Sequence, residues 1–162
     1  MNDLYTFFTQ RLGGFARLAV LGVGSVLRAD DAAGMEVVRI LEERLPVGRA
    51  DVRLFGGETA PENFSGSILR FAPTHLLIVD AADVNLSPGD FADICPEDVG
   101  GPSYCSHMLP IKLMVDYLAR ETGAHVTLLG IQYRTLTFDG PMSPEVTAAV
   151  DTVCDALLRV IG

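Results

Sequence analysis

The sequence predicts a single α/β domain, with a twisted, mostly parallel sheet flanked by helices on both faces and one edge strand that can run antiparallel. Strand-like and helix-like segments alternate along the chain. Several strand-like segments are almost continuously apolar, as expected of parallel strands buried on both faces. The 162 residues suffice for one sizeable core. We place this domain at residues 17–162 and treat residues 1–16 as an N-terminal extension, either a short docking helix or a frayed end.

Five segments have the composition of strands. "RLAVLGV" and "HVTLLGIQ" are predicted to be buried strands, and "HLLIVDA" has the pattern of a central strand. "DVRLFGG" stops at a glycine pair, and "DFADIC" is short enough to be an edge strand. In chain order, the predicted strands cover residues 17–23, 51–57, 75–81, 90–95 and 125–132.

Four further segments are predicted to be helices. The first carries Val38, Leu41 and Leu45 at helical spacing and stops at Pro46. Prolines near the first turn mark the start of the other three helices, and Ser143 is predicted to cap the last one. The predicted helices cover residues 31–45, 61–69, 109–121 and 143–161.

Composition excludes several classes of partner. A net charge of −9 argues against nucleic acid, because phosphates would be repelled. No apolar run reaches the roughly 18 residues of a membrane span, and the N-terminus lacks the pattern of a secretory signal. The three cysteines are widely spaced without a C-x-x-C pair, which favours free thiols in a reducing compartment. We therefore expect a cytoplasmic protein, a monomer, with no nucleic-acid or membrane partner.

Polar residues follow three of the predicted strands at their carboxyl ends. Asp30 and Asp31 follow the first strand, "GGET" at 56–59 follows the second, and Asp80 ends the apolar run of the third. In a parallel sheet these ends gather at one edge, where ligands bind. A purely structural interpretation is also available: Asp30 is well placed to cap the following helix, and Asp80 can form an internal hydrogen bond.

A nucleotide-binding turn is one interpretation of "LAVLGVGSVLRADDAAG". Gly22 and Gly24 fit the dinucleotide fingerprint, but Leu27 stands where its third glycine belongs. Asp30 and Asp31 would also place negative charge at the helix start, where a phosphate should bind. These residues weaken the nucleotide or flavin hypothesis.

A metal site is the competing interpretation. Asp31 and Asp80 follow strands that can be neighbours, and His107 in "SYCSHMLP" begins a helix that can cover the same edge. Two carboxylates and one imidazole suit a divalent transition metal that keeps open coordination positions. His107 can equally be an ordinary residue at a helix start.

Five motifs together resemble a known family. They are "LGVGSVLRADDAAG", "GGETAPEN", "HLLIVDAADVNLSPGD", "SHMLP" and "LLGIQ". In this order they resemble the hydrogenase maturation endopeptidases, particularly the branch that processes the large subunit of hydrogenase 3, the formate-hydrogenlyase type of nickel–iron (NiFe) hydrogenase. The resemblance extends from about residue 17 to residue 160.

The resemblance implies a cytoplasmic peptidase that removes a C-terminal extension from the hydrogenase large-subunit precursor after nickel insertion. The metal-binding residues of the family fall on Asp31, Asp80 and His107. The nickel is then carried by the substrate, although other divalent metals can occupy the site. Gly56, Gly57, Glu58 and Thr59 are expected to shape the peptide cleft, with the glycines admitting substrate backbone.

The chemistry of cleavage has two routes at this stage. The metal can polarise the scissile carbonyl or activate water, or Asp31 or Asp80 can act as a general base. One departure from the family is Ser25, where asparagine is usual; because serine also forms hydrogen bonds in turns, we expect a small effect. A noncatalytic nickel chaperone is a second alternative, besides the nucleotide-binding module.

Overall fold

The computed structural model describes residues 3–95, 97 and 108–162. The strands within these residues are β1 Leu18–Val23, β2 Val52–Glu58, β3 His75–Ala82, β4 Phe91–Asp93 and β5 His125–Gln132. The helices are α1 Leu4–Leu12, α2 Ala33–Arg44, α3 Ser65–Phe71, α4 Met108–Thr122 and α5 Pro144–Ile161. Two short 3₁₀ helices, Ala29–Ala32 and Pro61–Phe64, directly precede α2 and α3.

The five strands form one sheet in the order β2-β1-β3-β5-β4. β1 pairs in parallel with both β2 and β3, and β3 pairs in parallel with β5. β4 closes one edge as an antiparallel strand on β5. The predicted mostly parallel sheet with an antiparallel edge strand is therefore confirmed. The chain leaves β1 in one direction to reach β2 and returns on the other side as β3, so a topological switch point lies between β1 and β3.

Helices cover both faces of the sheet because successive strand residues point to opposite sides. One cluster of buried apolar residues joins alternate strand residues such as Val20 and Leu77 to α1, α2 and α5. The other joins Leu21 and Ile78 to α3 and α4. The N-terminal helix belongs to the first cluster through three side chains, Leu4, Phe8 and Leu12, which are buried.

Two predicted helices begin differently from expectation. The segments predicted as helices over 31–45 and 61–69 both open as 3₁₀ helices, in which Asp31 N–H donates to the Arg28 carbonyl and Asn63 N–H to the Ala60 carbonyl. A 3₁₀ turn and an α-helical turn leave similar sequence patterns, so periodicity does not separate them. The edge strand is also shorter than predicted, at three residues.

The structural interpretation in which Asp30 caps the following helix is wrong. Asp30 lies inside the 3₁₀ helix, and no side chain caps either that helix or α2. Ser143 does occupy the position before α5, but its hydroxyl is not a cap for that helix. The two side chains instead bind each other: Ser143 Oγ donates to Asp30 Oδ2 at 2.9 Å.

Candidate functional site

Asp31 lies directly beyond the carboxyl end of β1. The residue is 4 % exposed, and its Oδ2 accepts a hydrogen bond from the backbone N–H of Ser25 at 2.8 Å. Gly24, with φ at 127°, makes this close approach feasible: a Cβ there would lie 1.8 Å from the carbonyl oxygen of Asp31. The glycine at position 24 therefore serves the placement of Asp31.

Asp80 lies within the last half of β3 and is fully buried. It pairs with Gly130 of β5. Side chains alternate along the strand, so Asp80 points to the same face as Leu76 and Ile78, which is the face covered by α3 and α4. A carboxylate in such surroundings needs hydrogen bonds or a cation to offset its loss of hydration.

The register of the sheet places both carboxylates at one edge. Gly22 of β1 lies opposite Val79 of β3, so Asp80 is level with the end of β1. The first turn of α2 packs directly on this edge, since a Cβ on Gly34 would lie 2.1 Å from the Val79 carbonyl oxygen. The prediction that β1 and β3 are neighbours across a topological switch point is confirmed, although Asp80 lies within β3, two residues before its end, and does not follow it.

The third predicted ligand, His107, lies outside the described residues. Helix α4 begins at the next residue in the sequence, Met108, and packs through Ile111 and Met114 on the Asp80 face of the sheet. Within 3–95, 97 and 108–162, no group of three or more His, Cys, Asp or Glu residues has a metal-binding arrangement. The proposed metal set therefore stays a prediction that depends on His107.

The segment at 56–59 also reaches this edge, at the end of β2. Its glycines serve the packing of the protein itself: a Cβ on Gly56 would lie 2.9 Å from the Met35 side chain, and one on Gly57 would lie 2.9 Å from the Gly22 carbonyl oxygen. Glu58 and Thr59 are exposed, and Glu58 has φ at 51°. The space beside Gly56 and Gly57, where substrate backbone was expected, is therefore partly filled by Met35 and by the backbone of Gly22.

A cavity of about 400 Å³ lies near this segment, where the start of α3 faces the first turns of α4. Glu62 and Ser65 line one side and Pro110, Leu113 and Met114 the other. A largely apolar cavity of this size has the character of a peptide-binding cleft.

Asp30, by contrast, is turned into the protein. Its carboxylate accepts hydrogen bonds from Arg134 N–H at 2.8 Å, Thr135 N–H at 3.0 Å, and both the N–H and hydroxyl of Ser143, at 2.6 and 2.9 Å. It thereby ties the turn after β1 to the segment between β5 and α5. The sequence carries no local signal for this role, because its partners lie more than 100 residues away.

Phosphate binding at the turn after β1 is disfavoured by the observed contacts. A nucleotide site would need backbone N–H groups directed at the ligand. The Ser25 N–H is instead directed at the Asp31 carboxylate. Ser25 Oγ accepts from the Leu27 N–H at 3.2 Å, so serine does form a hydrogen bond within the turn, as expected.

Comparison with known proteins identifies the family. A family model described as hydrogenase maturation protease matches residues 35–160. The chain belongs to the hydrogenase maturation protease family. The matched range includes Asp80 and His107, and Asp31 lies four residues before it. The protein is therefore a peptidase, and the resemblance found in the sequence motifs is confirmed.

Individual relatives agree with this assignment. The protease is 34% identical over 139 residues to the hydrogenase 3 maturation protease of Escherichia coli, covering 85% of this chain and 86% of the relative. The solution structure of the endopeptidase HycI from Escherichia coli matches with a TM-score of 0.77 at 32% identity, covering 90% of this chain and 92% of that one.

A more distant structure supports the fold of the protease. The crystal structure of a NiFe hydrogenase maturation protease, HycI from Thermococcus kodakarensis, matches with a TM-score of 0.87 over 96% of this chain and 98% of that chain, at 24% identity. Among the helices of the described residues, none combines the length and apolarity that a membrane crossing needs.

Proposed function

We propose that this protease removes the C-terminal extension of a NiFe hydrogenase large-subunit precursor after nickel insertion, and that it recognises the nickel in that substrate. The observation that supports the proposal is the parallel pairing of β1 with β3, because the turn after β1 carries the buried Asp31 and the last part of β3 carries the buried Asp80. With His107 as a third ligand, these groups would hold a divalent transition metal and leave coordination positions for substrate thiolates.

The dependence on nickel follows from charge. Asp31 and Asp80 are both buried, and a divalent cation between them would be attracted strongly where water is excluded. A precursor that carries nickel brings this cation, whereas an empty precursor does not. Each tenfold preference for the nickel-loaded form needs only about 1.4 kcal/mol, so one added coordination bond is enough to discriminate.

Cleavage can use the same groups. Nickel carried by the substrate would supply polarisation of the scissile carbonyl, and a carboxylate oxygen of Asp31 or Asp80 that does not bind nickel would take a proton from the attacking water and deliver it to the leaving amine. The exposed Glu58 and Thr59, which follow the packed Gly56 and Gly57, would contact the substrate peptide, and the cavity lined by Pro110 and Leu113 would accept part of that peptide. We assign the reaction to the cytoplasm, in keeping with the free thiols of Cys95 and Cys154.

The decisive experiment measures the mass of the large subunit. The protease is incubated with nickel-loaded and with nickel-free precursor, and we expect shortening of the nickel-loaded form alone. His107→Ala should abolish shortening while leaving thermal unfolding unchanged. His125→Ala, which alters a histidine at the opposite end of the sheet, is the matched control and should process normally.

Three outcomes would overturn the proposal. An unchanged mass with nickel-loaded precursor removes the peptidase assignment for this substrate. Nickel binding without shortening indicates a nickel chaperone. Equal shortening of both precursor forms removes nickel from the recognition step.

A further inference from the structure

An exposed apolar surface lies next to the turn that carries Asp31. We call it the apolar rim and define it as the residues Val26, Leu27 and Phe138, which are 58%, 57% and 69% exposed. Contiguous apolar groups on a surface mark sites where another molecule binds, because their exposure to water is unfavourable. The three apolar residues of the rim do not pack in the core, so their exposure does not contribute to folding and suggests a binding surface.

The backbone holds the apolar rim in a defined shape. Asp139 N–H donates to the Leu27 carbonyl at 2.7 Å, which joins the turn after β1 to the segment carrying Phe138. Arg28 Nε donates to the Leu136 carbonyl at 3.3 Å and strengthens the same junction. The three apolar side chains are therefore presented from a hydrogen-bonded platform, which lowers the entropic cost of binding a partner.

The rim is continuous with the proposed nickel site. Ser25, the residue before Val26, donates its N–H to Asp31. A folded protein whose metal centre reaches Asp31 must cover the neighbouring turn as well. Stable complexes bury about 800 Å² on each partner, far more than three ligand side chains supply.

A groove extends the rim between α2 and α5. It has a volume of about 300 Å³ and is lined by Val26, Ile40 and Met142, with Glu36 and Asp151 among its polar residues. Its apolar and acidic character, on a chain with net charge −9, fits a partner surface that is apolar with basic residues at its margin.

We propose that the apolar rim is the docking surface for the folded body of the large-subunit precursor, separate from the residues that hold its nickel and its C-terminal peptide. This inference rests on the proposed function, because it takes the same substrate as the occupant. Docking at the rim would contribute binding energy without taking part in bond cleavage, so it acts on KM and leaves kcat unchanged.

The test uses two rim variants, Val26→Ser with Leu27→Ser, and Phe138→Ser alone. Val47→Ser is the matched control, since Val47 is fully exposed in the connection that leads into the opposite end of β2. For each variant, KM and kcat for shortening of nickel-loaded precursor are measured, together with the Kd for that precursor. We expect KM and Kd to rise about tenfold or more in both rim variants, with kcat and thermal unfolding close to wild type and the control unchanged.

The outcomes separate this inference from the proposed function. If the wild-type protease shortens the precursor and the rim variants match it in KM and Kd, the rim proposal is overturned and the function stands. If the wild type binds the precursor through the rim without shortening it, the function fails and the docking surface stands. Sedimentation of the protein alone completes the test: a dimer that the rim substitutions disperse would assign the rim to a second copy and overturn the proposal, whereas we expect a monomer.

Discussion

Asp30 and Asp31 are adjacent, chemically identical and both buried, yet they form different hydrogen bonds. Asp30 accepts four hydrogen bonds from residues 134, 135 and 143, and so joins distant parts of the chain. Asp31 is oriented by the backbone of its own turn and lies at the edge where β1 and β3 end. The comparison shows that burial of a carboxylate does not by itself indicate a functional residue, since Asp30 is fully buried and its hydrogen bonds join distant segments of the chain.

Replacing each aspartate with asparagine would test whether Asp30 and Asp31 differ in role, and Asp31→Asn should have the largest effect. An amide keeps an oxygen for the Ser25 N–H but loses the negative charge that the proposed nickel recognition requires. We expect processing of nickel-loaded precursor to fall by about 100-fold or more, the effect of losing a group that contacts the reacting centre. Stability should change by about 1 kcal/mol or less. Initial rates of shortening and thermal unfolding check the two expectations.

The contradicting result for Asp31→Asn would be normal processing. It would show that the carboxylate at position 31 serves only the turn, and it would leave Asp80 and His107 as the remaining candidates for the metal.

Asp30→Asn should have the reverse effect, a loss of stability first. Both carboxylate oxygens of Asp30 accept hydrogen bonds from N–H groups. In asparagine one of these oxygens is replaced by an NH₂ group, which would face an N–H donor and could not accept its hydrogen bond. Breaking a buried charged network of this kind costs about 3 kcal/mol. For a chain of this size we expect the midpoint of thermal unfolding to fall by about 6–12 °C. Below that temperature the folded fraction should still process precursor, and a folded but inactive variant would refute the structural role of Asp30.

The fold was largely predictable from the sequence, because its signals are local. Continuous apolar runs separated by amphipathic segments predict buried parallel strands with crossover helices, and the predicted bounds of β5 match those observed. The pairing of β1 with β3 was predictable for a topological reason, and it places the turn that carries Asp31 and the strand that carries Asp80 at one edge of the sheet, where ligands bind in such folds.

The role of Asp30 could not be predicted, because nothing in the sequence near residue 30 refers to residues 134–143. A helix start with an aspartate has the same local pattern whether the side chain caps the helix or crosses to another segment. Only the folded chain, in which the segment between β5 and α5 passes over the turn after β1, selects between the two.

Ser143→Ala should produce a smaller effect on the same network. It removes one neutral donor, the hydroxyl at 2.9 Å from Asp30 Oδ2, and leaves the three backbone donors in place. We expect a loss of about 1 kcal/mol, or about 2–4 °C in the midpoint of thermal unfolding. Thr147→Val is a useful control on α5, since the Thr147 hydroxyl donates within its own helix, to the Ser143 carbonyl. If Ser143→Ala were no more destabilising than Thr147→Val, the contact with Asp30 would contribute little.

The smallest effect on stability is expected at the opposite end of the sheet, where two histidines lie far from Asp30 and Asp31. His75 and His125 face each other at the first residues of β3 and β5, with ring centroids 5.1 Å apart. Burial, and secondly the charge of His125, lower the pKa of His75. Between that lowered pKa and the unfolded value of about 6.5, the unfolded chain binds more protons, so stability falls as the pH drops through this window. His75→Gln should remove part of this decline, by less than the effect of Ser143→Ala, when unfolding midpoints are compared at about pH 7.5 and about pH 5.5. If the unfolding midpoint of His75→Gln falls with pH as much as that of the wild type, other groups control stability in this pH range. If the fall is smaller in both His75→Gln and His125→Gln, the histidine pair is responsible for it.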